Sequence, residues 1–280
     1  MLIASLPPDH NLVLNKFAIV PEHFILTTKE FAEQTDLLGE GDLLATMAVI
    51  RSYSDCNHPV HGDGEGQVCC KEGQAQEQEQ AQAQGQEQQK EKGGLFAFFN
   101  SGDASGASQP HRHIQLLPIE RMRDGLSDDT NTNARREWEV LANRLVDEQV
   151  QEKLPFRVFV EEIHEAMDGK QLREVYLQLY RKACESAGLS GGADRGQARV
   201  SYNLAMTSTV MVVMPRVAEG GTVTDGDEEV GRLALNGTVL AGTALVKTQR
   251  EWDVLRGDPG QVGRVLGRIG VGGNGGGGRL

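Results

Sequence analysis

Two histidines and a glutamine occupy alternate positions in Pro110-His111-Arg112-His113-Ile114-Gln115. Side chains alternate faces along a strand, so His111, His113 and Gln115 would share one face, and Arg112, Ile114 and Leu116 the other. An imidazole with the ordinary pKa of ~6.5 is largely neutral near pH 7 and carries a free lone pair. It is then a usable nucleophile toward phosphorus, provided the second ring nitrogen holds the proton and donates it to an acceptor such as a backbone carbonyl. The charge on phosphoryl oxygens needs fixed donors nearby. The preceding run Asn100 to Gln109, NSGDASGASQ, contains nothing bulky. Ser101, Ser105, Ser108, Gln109, Gln115 and the N–H groups freed by Gly102 and Gly106 can supply such donors. A concave row of backbone N–H groups binds an anion without any lysine. Two plainer readings fit as well: imidazoles at i and i+2 can hold a metal ion, or the pattern can be packing alone.

Several elements must position these residues. The apolar run Leu95 to Phe99 predicts a buried strand before the small-residue loop, and Pro110 is tolerated where the next strand begins. Upstream, Leu12 to Leu14 and Phe17 to Val20 read as strand pieces around Asn15-Lys16. Pro21-Glu22-His23 reads as a turn, with His23 structural, and Phe24 to Thr27 as a further strand. Leu43, Leu44, Met47, Ile50 and Tyr53 fall at helical spacing, with Asp42 as the N-cap. Trp138, Leu141, Ala142, Leu145 and Val146 suggest another helix, after a polar loop from Arg121 to Asn133. Leu154 to Phe159 reads as a turn and strand. The clearest helical stripe is Leu172, Val175, Tyr176, Leu179, Tyr180 and Ala183, read as core packing. Val200 to Met206, Val210 to Arg216 and Ala241 to Lys247 read as strands.

The residues Asn100-Ser101-Gly102 and Gly106-Ala107-Ser108-Gln109-Pro110-His111-x-His113-x-Gln115 resemble the motif of fungal diadenosine tetraphosphate phosphorylases, or ATP adenylyltransferases. These belong to the histidine-triad superfamily, alongside galactose-1-phosphate uridylyltransferase. The resemblance implies that His113 attacks the α-phosphate and becomes adenylylated. It implies that Gln115 replaces the third histidine of the hydrolytic triad proteins. An amide donates to a phosphate oxygen but cannot act as an acid, so transfer to phosphate is implied rather than hydrolysis. His111 joins them as a catalytic candidate. The segment HNLVLNKFAIVPEHFILTT resembles the same family, and this implies substrate contacts from Asn15 and Lys16. SYNLAMT, MVVMPR and LAGTALVK resemble its C-terminal half, which implies that Ser201, Tyr202 and Asn203 line the nucleotide site. Asn100, Ser101, Gly106, Ala107, Ser108 and Gln109 complete the implied substrate-binding set. Ser208-Thr209 departs from the family's basic or bulky residue there, which would remove a phosphate contact. The family also carries a segment with another substrate-binding lysine ahead of the Asn-Lys strands, whereas this sequence starts almost at those strands.

The implied fold is α+β: an antiparallel sheet with flanking helices, as two fused histidine-triad-like units. Residues 1–150 would form the N-terminal catalytic part and 151–280 the C-terminal ATP adenylyltransferase part. The implied reaction is phosphorolysis of diadenosine tetraphosphate to ADP and ATP, and its reverse. A divalent cation, Mg²⁺, would travel with the nucleotide, with no tightly bound cofactor and no protein metal site. A metal-dependent enzyme using His111 and His113 is the first alternative, and an inactive nucleotide-binding protein the second.

The whole sequence sets outer bounds. Its 280 residues suffice for one large domain or two ordinary ones. A formal net charge of −12 argues against a nucleic-acid partner. An anionic substrate would then need a local positive region, for which Lys16, His111, Arg121 and Arg123 are candidates. Cys56, Cys69, Cys70 and Cys184 show no disulfide framework or zinc spacing, so reduced thiols and a cytoplasmic or also nuclear location are expected. No membrane-spanning run and no signal peptide are apparent. Residues of about 56 to 93 are dominated by Gln and Glu and read as a disordered insertion. Gly270 to Gly278 reads as a flexible tail.

Overall fold

The computed structural model describes residues 1–56, 94–124, 126, 138–190 and 194–272. The Gln/Glu-rich insertion after Cys56 and the tail beyond Gly272 lie outside the described residues. In chain order the strands are β1 (Leu2–Leu6), β2 (His10–Leu14), β3 (Phe24–Thr28), β4 (Leu95–Ser101), β5 (His113–Pro118), β6 (Phe159–Glu162), β7 (Ser201–Met206), β8 (Val210–Arg216), β9 (Gly220–Asp225) and β10 (Glu228–Ala234). The longer helices are α1 (Glu40–Cys56), α2 (Gly169–Ser186), α3 (Gln249–Gly257) and α4 (Gly260–Ile269).

One antiparallel sheet of eight strands, in the order β1-β2-β3-β5-β4-β7-β8-β6, runs through both halves of the chain. The halves meet at β4 and β7, where Asn100 stands opposite Asn203. Helices α1 and α2 cover one face, packing Leu43, Met47, Leu172, Tyr176 and Tyr180 over Leu26, Ile114 and Leu204. The β9–β10 hairpin with α3 and α4 covers part of the other face, over Phe96, Phe98, Val212 and Met214. With both faces covered, β4 and β8 are buried along their whole length. Their near-continuous apolar sequences follow from that, since neither side of these strands meets water. The expected α+β architecture is therefore present. Helix α2 forms where its apolar stripe predicts it, and Asp168 with Gln171 closes a capping box at its start.

Some local expectations change. Phe17 to Val20 is not a strand. The Phe17 N–H is taken by Asn15 Oδ1 and the Ile19 N–H by His23 Nδ1, so neither joins a ladder. Helix α1 starts at Glu40, ahead of Asp42, whose carboxylate instead binds the Gly39 N–H, His10 and Arg112. Ala241 to Lys247 is not a strand either. Gly237–Ala241 winds into a 3₁₀ turn that buries Val239 and Leu240, and Gly242 ends it in the left-handed region at φ 79°. The spacing from Trp138 to Val146 yields only a single turn, Leu141–Arg144. Gly270 and Gly272, expected in the tail, form bridges with Arg216 and Phe156. The first residues, which carried no structural expectation, form β1 against β2.

Candidate active site

Strand β5 pairs with β3, setting His113 opposite Thr27 and Gln115 opposite Ile25. His113 and Gln115 thus share one face, while Ile114 and Leu116 point into the core beneath α1. His111 does not join them. It lies ahead of β5 in a lone bridge to Glu33. Its Nε2 sits 2.9 Å from Thr28 Oγ1 and 3.2 Å from the Glu30 carbonyl oxygen. Its ring lies against Phe31, centroids 5.5 Å apart. Thr28 follows Thr27 on β3, so it points to the opposite face from the partner of His113. The expected three-residue face is corrected to two, because strict alternation governs only the paired strand, and pairing begins at His113.

The His113 ring is held by its own chain. Its Nδ1 lies 2.8 Å from the His111 carbonyl oxygen, which accepts the proton. Nε2 is left as the bare nitrogen of a neutral imidazole. Burial lowers the His113 pKa; the carbonyl contact partly opposes this, and proximity to His111 adds to it. The neutral form, with its lone pair, is thereby favoured.

Gln34 fixes the backbone around this ring. The β4–β5 pairing ends at Phe98↔Gln115. Beyond it the buried Gln34 amide stands between the strands. Its Oε1 accepts the His113 N–H at 2.8 Å, and its Nε2 donates to the Asn100 carbonyl at 2.8 Å. A side-chain amide replaces a direct strand contact, so the strands part where the small-residue loop emerges. On the covered face, Arg112 donates to Asp42 at 2.9 Å, and His10 binds the other oxygen of that carboxylate at 2.8 Å. Burial raises the Asp42 pKa, but His10, Arg112 and the Gly39 N–H together outweigh it and hold the carboxyl below its usual value.

The Gln115 amide is held from the other side. His23, 2 % exposed, places Nε2 2.9 Å from Gln115 Oε1. Asn15 Nδ2 lies 3.2 and 3.4 Å from the two His23 ring nitrogens. Asn15 is therefore occupied within the protein at both ends of its amide, and Lys16 beside it is exposed, with Nζ 5.5 Å from the Phe17 ring centre. Of the candidates for a positive region, Arg121 pairs with Glu22 at 2.8 Å and Arg123 donates to the Trp138 carbonyl.

The loop rests on a buried polar floor. Asn100 Oδ1 accepts from Asn203 Nδ2 and from the Gly237 N–H, both at 2.8 Å. Asn203 Nδ2 also reaches the Ser105 carbonyl, and Asn203 Oδ1 accepts from Arg216. Arg216 further donates to the carbonyls of Ala218, Glu219, Leu235 and Ile269. Burial pulls its pKa down to about 10, so it stays charged. Gly106 sits at φ 77°, and a Cβ there would lie 2.8 Å from Asn236 Cβ and 2.9 Å from the Leu235 carbonyl oxygen. Only glycine meets both demands.

The candidates therefore divide. His113, Gln115 and Ala107 are partly exposed, and Ser108 and Gln109 are exposed. Ser201 Oγ accepts the Ala104 N–H and borders the loop. Asn100, Ser101 and Asn203 are buried beneath it. Tyr202 is not on this surface at all. It is fully buried in the core under α2, its hydroxyl 2.7 Å from that of Tyr176. Among the described residues no three His, Cys, Asp or Glu side chains gather as a metal site would, and no helix is long and apolar enough to cross a membrane. Sequence reasoning missed Gln34, Arg216 and the contact of His23 with Gln115. No local pattern marks the first two, because their partners lie 66 or more residues away for Gln34 and up to 53 for Arg216.

Comparison with known proteins agrees with this architecture. The family model described as "Ap4A phosphorylase N-terminal domain" matches residues 1–58 and 73–128, and that of the "ATP adenylyltransferase C-terminal domain" matches residues 152–272. Diadenosine 5',5'''-P1,P4-tetraphosphate phosphorylase 2 of Saccharomyces cerevisiae is 26% identical over 262 residues, which cover 92% of this chain and 68% of that protein. Protein APA1 of the same organism is 25% identical over 265 residues, 92% of this chain and 67% of that one. The crystal structure of yeast Ap4A phosphorylase Apa2 superposes with a TM-score of 0.63 at 24% identity, covering 95% of this chain and 75% of that chain. The domain models span both halves of the sheet between them, and the chain belongs to the Ap4A phosphorylase (ATP adenylyltransferase) family.

Proposed function

We propose that the chain cleaves diadenosine tetraphosphate with phosphate to give ADP and ATP, and runs the reverse, through an adenylyl group on His113. The observation that carries this is the His113 ring, on the face shared with Gln115: Nδ1 is held by the His111 carbonyl, and Nε2 has no hydrogen-bond partner among the described residues. Nε2 attacks the α-phosphorus, forming an N–P bond. The bond from that phosphorus to the bridging oxygen breaks, and its electron pair leaves on ATP. The Nδ1 proton stays in place throughout, and the His111 carbonyl dipole stabilises the charge that develops on the ring. An oxygen of inorganic phosphate then attacks the same phosphorus, the N–P bond breaks, and ADP departs.

The small-residue loop and the Gln115 amide hold the phosphoryl oxygens, with no acid in the position of Gln115 to favour water as acceptor. Ser108 and Gln109 stand exposed on the loop, and Lys16 is exposed beside Asn15, to meet the rest of the polyphosphate. Mg²⁺ enters as part of the nucleotide substrate, carried by its phosphates. The setting is the cytoplasm, where these nucleotides and phosphate occur together.

Brief mixing with diadenosine tetraphosphate labelled in the adenylyl moiety, followed by denaturation, tests the intermediate. Acid-labile label on the wild-type protein, absent from His113→Ala, is expected, with parallel double-reciprocal lines. Label retained by His113→Ala, or intersecting lines, overturns the covalent route.

A further inference from the structure

We propose that His23 is a positioning residue, whose ring fixes which end of the Gln115 amide faces the reacting phosphate. This rests on the reaction proposed above. The backbone N–H of Ile19 can only donate. It lies 3.4 Å from His23 Nδ1. Nδ1 must therefore accept, and in a neutral imidazole the proton then resides on Nε2. Nε2 lies 2.9 Å from Gln115, and an N–H there can meet only the carbonyl end of the amide. The Gln115 NH₂ group is thereby turned away from His23 onto the open face shared with His113. Two N–H donors then face the phosphoryl oxygens.

The surroundings keep His23 in that state. Asn15 Nδ2 is nearly equidistant from both ring nitrogens, at 3.2 and 3.4 Å. Those nitrogens are about 2.2 Å apart in any imidazole, so the amide stands over the ring face rather than in its plane. Asn15 is oriented in turn, because its Oδ1 accepts the Phe17 N–H at 2.9 Å. Burial also lowers the His23 pKa, against the opposing hydrogen bond to Gln115, and so favours the neutral ring. The turn that breaks the expected Phe17–Val20 strand is thus the device that aims His23. Without the Nε2 donor, the Gln115 amide is free to rotate by half a turn and present its oxygen to an anion.

His23→Met removes the donor while nearly keeping the volume, and His23→Gln restores an N–H at about the place of Nε2. His23→Met is expected to lower kcat about tenfold with KM within about twofold, and His23→Gln to recover most of the loss. In a Gln115→Met background, His23→Met is expected to cost less than about twofold more. Equal losses in both backgrounds, or no loss in the single variant, overturn the proposal. A nitrogen-15 spectrum of histidine-labelled wild type gives an answer that needs neither turnover nor a variant that folds. Protonated Nε2 with bare Nδ1 on His23 is expected at pH 7, and the opposite tautomer or a doubly protonated ring overturns the lock. Should the wild type not phosphorolyse diadenosine tetraphosphate, the reaction reading falls while this spectrum still decides the orientation of His23.

Discussion

The His113 imidazole donates its Nδ1 proton to the carbonyl oxygen of His111, 2.8 Å away and two residues earlier in the chain. The contact is to the backbone of His111 and not to its ring, which is occupied by Thr28 and Glu30. The two histidines of the motif therefore do different work. In the proposed reaction the His113 ring attacks phosphorus, while His111 offers the carbonyl that fixes the tautomer of that ring.

His111→Ala keeps that carbonyl, so turnover is expected to fall by about tenfold or less, whereas His113→Ala abolishes it while nucleotide binding survives. Single-turnover rates and equilibrium binding of diadenosine tetraphosphate check both. A His111→Ala variant as dead as His113→Ala would mean that the His111 ring itself takes part.

Because burial lowers the His113 pKa from 6.5, the proposed nucleophile is expected to remain neutral below that pH. The acid limb of the kcat/KM profile is expected to lie under pH 6.5. A limb above it, lost in no His variant, would contradict the assignment. His23 is lowered as well. Between its folded pKa and 6.5 the unfolded chain binds more protons than the folded one, so stability rises with pH across that window. Urea unfolding at a series of pH values measures the slope.

Gln115→His replaces an amide with a group able to protonate a leaving group or assist water. The product pattern is expected to shift from ADP plus ATP toward AMP plus ATP. Chromatography of the products without and with phosphate reads this directly, and an unchanged ratio places Gln115 away from the reacting phosphorus.

Asn203→Leu removes the one side-chain acceptor of the buried Arg216 among the described residues and one of the two donors to Asn100 Oδ1 in one step. Leaving a buried charge and a buried amide short of partners is expected to cost about 3 kcal/mol. Denaturant unfolding gives the value, and a loss under about 1 kcal/mol would show that the floor is held by Arg216's other carbonyl contacts.

Replacing residues 58–92 by a short Gly/Ser linker is expected to leave cooperative unfolding and activity nearly unchanged. The Gln/Glu composition motivates this. Loss of a single sharp transition in the shortened chain would show that the segment packs.

The sequence alone placed His113 and Gln115 on one strand face. His113 and Gln115 lie two residues apart inside one strand, and strand alternation is local geometry that needs no tertiary partner. It also determined α2, whose apolar stripe and Asp168 cap are complete within the element. The end of that alternation was not legible, because it depends on where β3 stops pairing with β5, and this sent the His111 ring to Thr28. Tyr202 and Asn203 are adjacent in sequence, yet one enters the tyrosine core and the other the polar floor, a division made by what covers each face of β7. Gln34 and His23 owe their roles to contacts across 79 and 92 positions of the chain. Only the folded sheet brings those residues within hydrogen-bond distance, so the motif named the chemistry and tertiary packing decided its orientation.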